Sequence, residues 1–199
     1  MMKFMILNIK KTKELVFDAR RKKGRAAGVP ITIQGEAVEI VDSYKFLGVH
    51  LNKNLDWKDN TDAVYKKCQS RLYLLRRLRS FNVCSRLLVM FYQSVVDSVL
   101  FYAVVCWGGG IKAGELNRLK KITKKASSVV GLRVESLQSV TERRIRTKLD
   151  SMRSNPSHPL YSTLQDRMST FSGRLTLPPM HTERYRLSFL PTAIRLYNA

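Results

Sequence analysis

The sequence predicts an α+β chain: a small antiparallel β-sheet or hairpin layer, then a basic three- to four-helix bundle, then an extended C-terminal tail. Three observations lead there. Residues 1–56 hold short β-branched and aromatic runs divided by turn residues. Residues 57–153 repeat apolar residues at steps of three and four. Residues 154–199 carry five of the six prolines and little periodicity.

In the first zone, Glu14-Leu15-Val16-Phe17-Asp18 favours a short strand. Pro30-Ile31-Thr32-Ile33 and Val38-Glu39-Ile40-Val41 flank Gln34-Gly35-Glu36, a hairpin signal in which Gly35 is free to take positive φ. Tyr44 to Leu51 reads as a further strand, with Gly48 suited to a bulge or a close backbone approach. In the second zone, Asp56, Asp59 and Asp62 favour a helix start near Trp57, because anions suit a helix N-terminus. Val64, Cys68, Leu72 and Leu75 give that helix one apolar stripe. A second helix is expected from about Ser85 to Val105, apolar almost all round and ended by Gly108-Gly109-Gly110. A third is expected from about Gly114 to Val130, with Leu116, Leu119, Thr123, Ala126 and Val130 inside and Gly131 beyond its end. A fourth starts at Ser139, with the spacing of a capping box, or at Ser136, which competes for the cap. In the third zone, Asn155-Pro156-Ser157-His158-Pro159 breaks the pattern, and the rest reads as an extended arm that packs weakly or needs a partner to order it.

The chain has 199 residues, 36 of them Lys or Arg and 15 Asp or Glu, a formal charge of +21. Hydrophobic residues make up 44%, which is enough for a core and excludes a wholly disordered basic tail. The charge points to polyanions, with nucleic acid ahead of an anionic membrane surface. Residues 1–56 carry +5 and residues 57–153 carry +13, so most of the excess sits on the helices. Cys68, Cys84 and Cys106 are odd in number and fit no zinc spacing, as expected of a reduced intracellular chain, nuclear or cytoplasmic. The N-terminal apolar run is too short for a signal peptide. Leu87 to Trp107 is a poor membrane span, because Gln93, Ser94, Asp97 and Ser98 fall at its centre.

Catalytic and cofactor motifs are missing from the sequence. His50, His158 and His181 are isolated and make no metal pattern. Gly108-Gly109-Gly110 follows an expected helix and lacks dinucleotide-loop spacing. No catalytic residue, metal ligand or cofactor is therefore expected. The binding candidates are cations with one aromatic among them. Lys66, Tyr73 and Arg77 fall on one face of the first helix, a pattern that fits phosphate contact with stacking. Lys120, Lys121, Lys124 and Lys125 crowd the third helix, and Arg20, Arg21, Lys22, Lys23 and Arg25 form a basic loop that fits phosphate contact or a nuclear localisation signal. A solvated surface is the competing reading of each set.

Read in order, Leu7 to Asp18, Tyr44 to Leu51, Trp57 to Phe81, Tyr92 to Trp107, Arg118 to Gly131 and Phe189 to Asn198 resemble the C-terminal part of a LINE-type, non-LTR retrotransposon reverse transcriptase of fish type. The resemblance implies that Lys10, Lys11 and Lys13 end a palm near nucleotide phosphates. It implies that Phe46, Leu47, Gly48 and Val49 form a primer-grip hairpin, and that the helices form a thumb. No Asp-Asp pair occurs in the chain, so the implied fragment has no polymerase metal site. It would bind an RNA–DNA primer–template duplex, or dock the missing palm and fingers of a parent polymerase. Val64 to Leu100 also resembles the N-terminal region of AlkB-homologue tRNA-modifying enzymes, which combine a 2-oxoglutarate dioxygenase with a methyltransferase. The His-x-Asp…His triad and glycine-rich site of those activities do not occur here. A stand-alone basic chromatin- or RNA-binding protein fits the charge equally well.

Overall fold

The computed structural model describes residues 7–17 and 31–199, and the chain forms two compact units, Met1–Asn60 and Thr61–Ala199. The basic loop Arg20, Arg21, Lys22, Lys23 and Arg25 lies outside the described residues.

The first unit is built from short strand pairs. A 3-10 turn over Ile9–Lys11 is capped by Asn8, whose side chain accepts from the Lys11 amide at 3.2 Å. It leads into β1 (Lys13–Glu14). The hairpin of β2 (Thr32–Ile33) and β3 (Glu36–Ala37) turns at Gln34 and Gly35, whose φ values are 53° and 83°. Two positive φ angles in a two-residue loop suit the right-handed twist of the flanking strands. β4 (Glu39–Ile40) leaves that hairpin and pairs with β1 in parallel, Lys13 opposite Glu39. β5 (Ser43–Phe46) and β6 (Val49–Asn52) pair antiparallel around Leu47 and Gly48, at φ 44° and 85°. Tyr44 to Leu51 is therefore a hairpin turning within Phe46 to Val49, and Gly48 is a turn residue where the local pattern alone suggested one strand with a bulge or a close backbone approach. The α+β class with its small hairpin layer holds: among the described residues there are two antiparallel pairs, with the parallel β1–β4 pair beside them in the chain.

Asp56 starts the first helix as its charge suggested. Its carboxylate accepts from the Lys58 amide at 3.1 Å and from the Asn52 amide group at 2.8 Å. α1 (Lys58–Ser80) buries Val64, Cys68, Leu72 and Leu75, the expected stripe.

The second unit is helical. The long second helix expected from Ser85 to Val105 is instead broken into pieces. α2 (Ser85–Phe91) runs into a π-helical segment, Tyr92–Asp97, and then α3 (Ser98–Leu100). Ala103 takes the left-handed conformation (φ 49°), and α4 (Val104–Trp107) follows. Two arginines from other helices donate to carbonyls of this distorted stretch. Arg71 Nη1 donates to the Val95 carbonyl at 2.5 Å, and Arg144 Nη1 donates to the Phe101 carbonyl at 2.7 Å. The segment is still central, as its apolar character suggested: Leu88, Tyr92, Val96, Leu100, Phe101, Val104 and Trp107 are buried.

The glycines after α4 allow close packing as well as ending the helix. A Cβ on Gly108 would lie 2.7 Å from the Val104 carbonyl oxygen and 2.8 Å from Thr141 Cγ2. One on Gly109 would lie 2.9 Å from the Leu187 carbonyl oxygen. α5 (Ala113–Val130) ends at Gly131, which has φ 76° as the left-handed cap requires. α6 (Leu137–Arg153) is capped by Ser136, whose hydroxyl accepts from the Ser139 amide at 3.1 Å, which settles the competition between the two serines.

The tail is extended over much of 166–182, but it is not weakly packed. α7 (Tyr161–Gln165), α8 (Glu183–Arg186) and α9 (Phe189–Asn198) return to α6. Ile145, Leu149 and Met152 of α6 form a second core with Leu164, Leu175, Ala193 and Ile194. The Asn198 side chain closes it from both sides. Its Nδ2 donates to the Leu175 carbonyl at 2.8 Å, and its Oδ1 accepts from the Leu175 amide at 3.0 Å. Pro191 stands in the first turn of α9, where a missing amide breaks no helical bond. The other four prolines, Pro156, Pro159, Pro178 and Pro179, mark the loops of a packed segment.

Candidate nucleic-acid interface

Some of the basic residues make contacts that tie distant segments together, and others make no such contact among the described residues. Arg71 and Arg144 donate to the carbonyls just described. Arg146 Nε donates to the Leu196 carbonyl at 3.2 Å, and the Arg153 guanidinium lies 4.5 Å from the centre of the Tyr197 ring, so both tie α9 to α6. Arg118 joins α5 to α1: it pairs with Asp62 and sits 4.5 Å from the Tyr65 ring centre. Sequence periodicity does not reveal these roles, because each partner is distant in the chain.

The lysines of α5 behave differently. Lys120, Lys121, Lys124 and Lys125 are all exposed, and none forms an ion pair among the described residues. At 3.6 residues per turn, Lys121 and Lys125 continue the line of Arg118, and Lys120 and Lys124 lie roughly 100° further round. On α1, Lys66, Tyr73 and Arg77 are exposed and continue the line of Asp62 within about 60°. The Asp62–Arg118 ion pair is thus the common origin of both stripes. Tyr73 is 59% exposed, which leaves a ring face available for stacking, whereas Arg77 already lies 5.1 Å from the Phe81 ring centre. Lys67, Arg76 and Arg79 of α1 are exposed as well and widen the basic surface. The second unit carries 24 basic and eight acidic residues, a net +16 of the chain's +21.

The candidates of the first unit stand apart from this set. Lys10 and Lys11 are exposed on the 3-10 turn. Lys13 is not a free cation, because it pairs with Glu39 across β1 and β4. Phe46 and Leu47 are exposed at the β5–β6 turn, Gly48 turns the chain, and Val49 is half-buried.

Residues 57–98 match the family model described as Alkylated DNA repair protein alkB homolog 8, N-terminal. The match covers α1, α2 and the π-helical segment, about a fifth of the chain. It coincides with the stretch whose resemblance to AlkB homologues is evident from Val64 to Leu100. No curated protein and no solved structure matches the chain. The match overturns the resemblance to a retrotransposon reverse transcriptase: the first part of the stretch read as a thumb, residues 57–98, is similar instead to an AlkB-homologue N-terminal segment. The palm-end reading of Lys10, Lys11 and Lys13, and the primer-grip reading of Phe46 to Val49, fall with it. Among the described residues no group of three His, Cys, Asp or Glu side chains could hold a metal, and no helix is long and apolar enough to cross a membrane.

The matched segment also holds a buried polar group that sequence reading missed. In a π turn residues five apart share a side, which puts the Tyr92 hydroxyl beside the Asp97 carboxylate. They do not close a well-formed hydrogen bond, and Tyr92 Oη and Asp97 Oδ1 both lack a partner. Burial pushes the Asp97 carboxyl above the ordinary range, against the Tyr92 hydroxyl and the Arg144 charge, which pull it down. Burial also pushes the Tyr92 hydroxyl up and the Cys68 thiol up to about 12, so Cys68 is an inert core thiol.

A carboxyl raised by folding holds its proton more tightly in the folded chain. Its contribution to stability is present below the ordinary carboxylate range and is lost as pH rises through the raised value. Asp97→Asn is therefore expected to raise the Tm near neutral pH, with the gain shrinking as pH falls to about 4. Thermal melts across that window check it, and a lower Tm at neutral pH would show that the Arg144 attraction outweighs burial.

Proposed function

We propose that the 61–199 unit binds nucleic acid, RNA foremost, along its phosphate backbone and without regard to sequence. The supporting observation is the set of exposed lysines on α5, without an ion-pair partner among the described residues, beside the cation–aromatic stripe of α1. Both stripes start from one ion pair, in a unit where Arg71, Arg118 and Arg153 are half-buried and engaged with other elements. The preference for RNA rests on the resemblance of the α1–α2 region to AlkB-homologue tRNA-modifying enzymes. This reading assigns binding, and no chemical step, to the basic face.

Salt is the test. Each phosphate contact contributes about −0.9 to the slope of log K against log salt on a duplex and about −0.7 on a single strand. Replacing Lys120, Lys121, Lys124 and Lys125 together with Gln is expected to flatten that slope by about three units and to weaken all sequences alike. Tyr73→Ala is expected to cost ~1–3 kcal/mol with little salt dependence, as the loss of a stacking partner. Binding that ignores salt, or that survives the four lysine changes with its slope intact, would remove the interface from α5.

A further inference from the structure

A cavity of about 180 Å³ opens on the second unit between the glycine turn after α4 and helices α5, α6 and α9. Leu116, Leu137, Ile145 and Leu196 form apolar walls, and Gly108 and Gly109 contribute bare backbone. An apolar cavity of roughly 150 Å³ holds one aromatic ring, so this one, open on one side, has room for a planar bicyclic group. Its polar edge is unusual for so basic a unit. Glu142 lines it, half-buried, with Thr141 and Thr192 nearby. Glu142 Oε1 accepts from Gln138 Nε2 at 3.0 Å, while Oε2 has no hydrogen bond among the described residues. Two guanidiniums are anchored to lining residues. Arg146 donates to the Leu196 carbonyl at 3.2 Å, and Arg195 donates to the Thr192 hydroxyl at 3.3 Å.

We infer that this cavity takes one unstacked guanine of a single-stranded nucleic acid. The inference rests on the binding reading above and names what that reading leaves open. The apolar walls would receive the ring faces, as side chains do when single-stranded bases are splayed out. The carboxylate selects the base. Guanine presents two adjacent N–H donors, N1–H and the 2-amino group, to a single carboxylate, a charge-assisted pair. Adenine and cytosine present one amino group each at that edge, and uracil a single imino donor between two carbonyls that the carboxylate repels. Arg146 and Arg195 would meet the phosphates on either side. A cationic peptide, the other partner a carboxylate pocket suits, is opposed by the +16 charge of the unit.

The experiment uses the full chain and fluorescence anisotropy at low salt, with a labelled ten-nucleotide oligouridylate and the same strand carrying one central guanosine. The guanosine is expected to tighten binding about tenfold, the low end of discrimination for a good bidentate pair. Glu142→Gln should bring the ratio of the two affinities to about one. Asp150→Asn makes the same charge change at an exposed site outside the cavity, and should keep the ratio near ten. In competition, 5′-GMP should displace the guanosine strand at lower concentration than 5′-UMP. Binding of both strands with no guanosine advantage, or an advantage that survives Glu142→Gln, overturns the cavity assignment and leaves the phosphate reading standing. No binding of either strand overturns both.

Discussion

A chain shortened to end at Ser188 is expected to lose cooperative folding of its helical unit. α9 supplies Ala193 and Ile194, both fully buried, to the core on α6, and it carries the Asn198 amide that clasps Leu175. Its removal uncovers Ile145, Leu149 and Met152 as well. At about 1.5–3 kcal/mol for each buried aliphatic side chain, the loss is on the order of the whole stability of a domain of this size. Urea unfolding should show a lower midpoint and a shallower slope, and the shortened chain should bind ANS. The point variant Ile194→Ala isolates the packing at about 2–5 kcal/mol, and Ile194→Val should cost about 0.5–1.5 kcal/mol. A shortened chain with unchanged midpoint and slope would make α9 an ornament of the fold and overturn the packed-tail reading.

Trp107→Ala is expected to be the most damaging single change in the centre of the unit. Trp107 is fully buried, and its indole N–H donates to the Tyr102 carbonyl at 2.8 Å. The neighbouring Gly108 has no room to move inward, because Val104 and Thr141 already crowd the place of a Cβ. The site therefore collapses poorly, and the expected cost is about 3–5 kcal/mol. Trp107→Phe keeps most of the volume but removes the indole donor to the Tyr102 carbonyl, for about 0.5–1.5 kcal/mol. Equilibrium denaturation of the two variants separates packing from hydrogen bonding. Equal losses would show that the N–H contributes more than the ring.

Where local pattern decided the structure, it was readable in the sequence. The α1 stripe from Val64 to Leu75, the start of that helix at Asp56, and the α5 stripe ending at Gly131 each follow from residues within a few turns. Ile122 belongs to the buried face of α5 and was missed because it lies at the edge of the counted stripe. The break in the second helix was hidden. Ala103 takes a left-handed conformation without being glycine, and an apolar run shows no periodicity from which a π turn would stand out. Leu47 hid the second hairpin from the local pattern, as a bulky residue at positive φ inside a continuous β-like run, and only the family resemblance suggested a hairpin there. The parallel pairing of β1 with β4 joins two-residue strands distant in sequence, beyond any local signal. For the interface, the exposure of the lysines followed from helical phase. The fold-holding arginines did not, because Arg144 finds its partner 43 residues away and Arg146 finds its partner 50 residues away.

The same late closure matters during synthesis. The apolar side of α6 is complete once Met152 has been made, yet α9 does not exist until about 45 residues later. At roughly 5–20 residues per second, the ribosome leaves that surface bare for about two to nine seconds in every copy produced. An exposed apolar strip on a nascent chain of high positive charge is a substrate for chaperones and a seed for co-translational aggregation. It also sits beside the most abundant polyanion in its surroundings, ribosomal RNA. Slow codons between 153 and 188 would lengthen the exposure, so the yield of folded protein should fall as translation of that stretch is slowed.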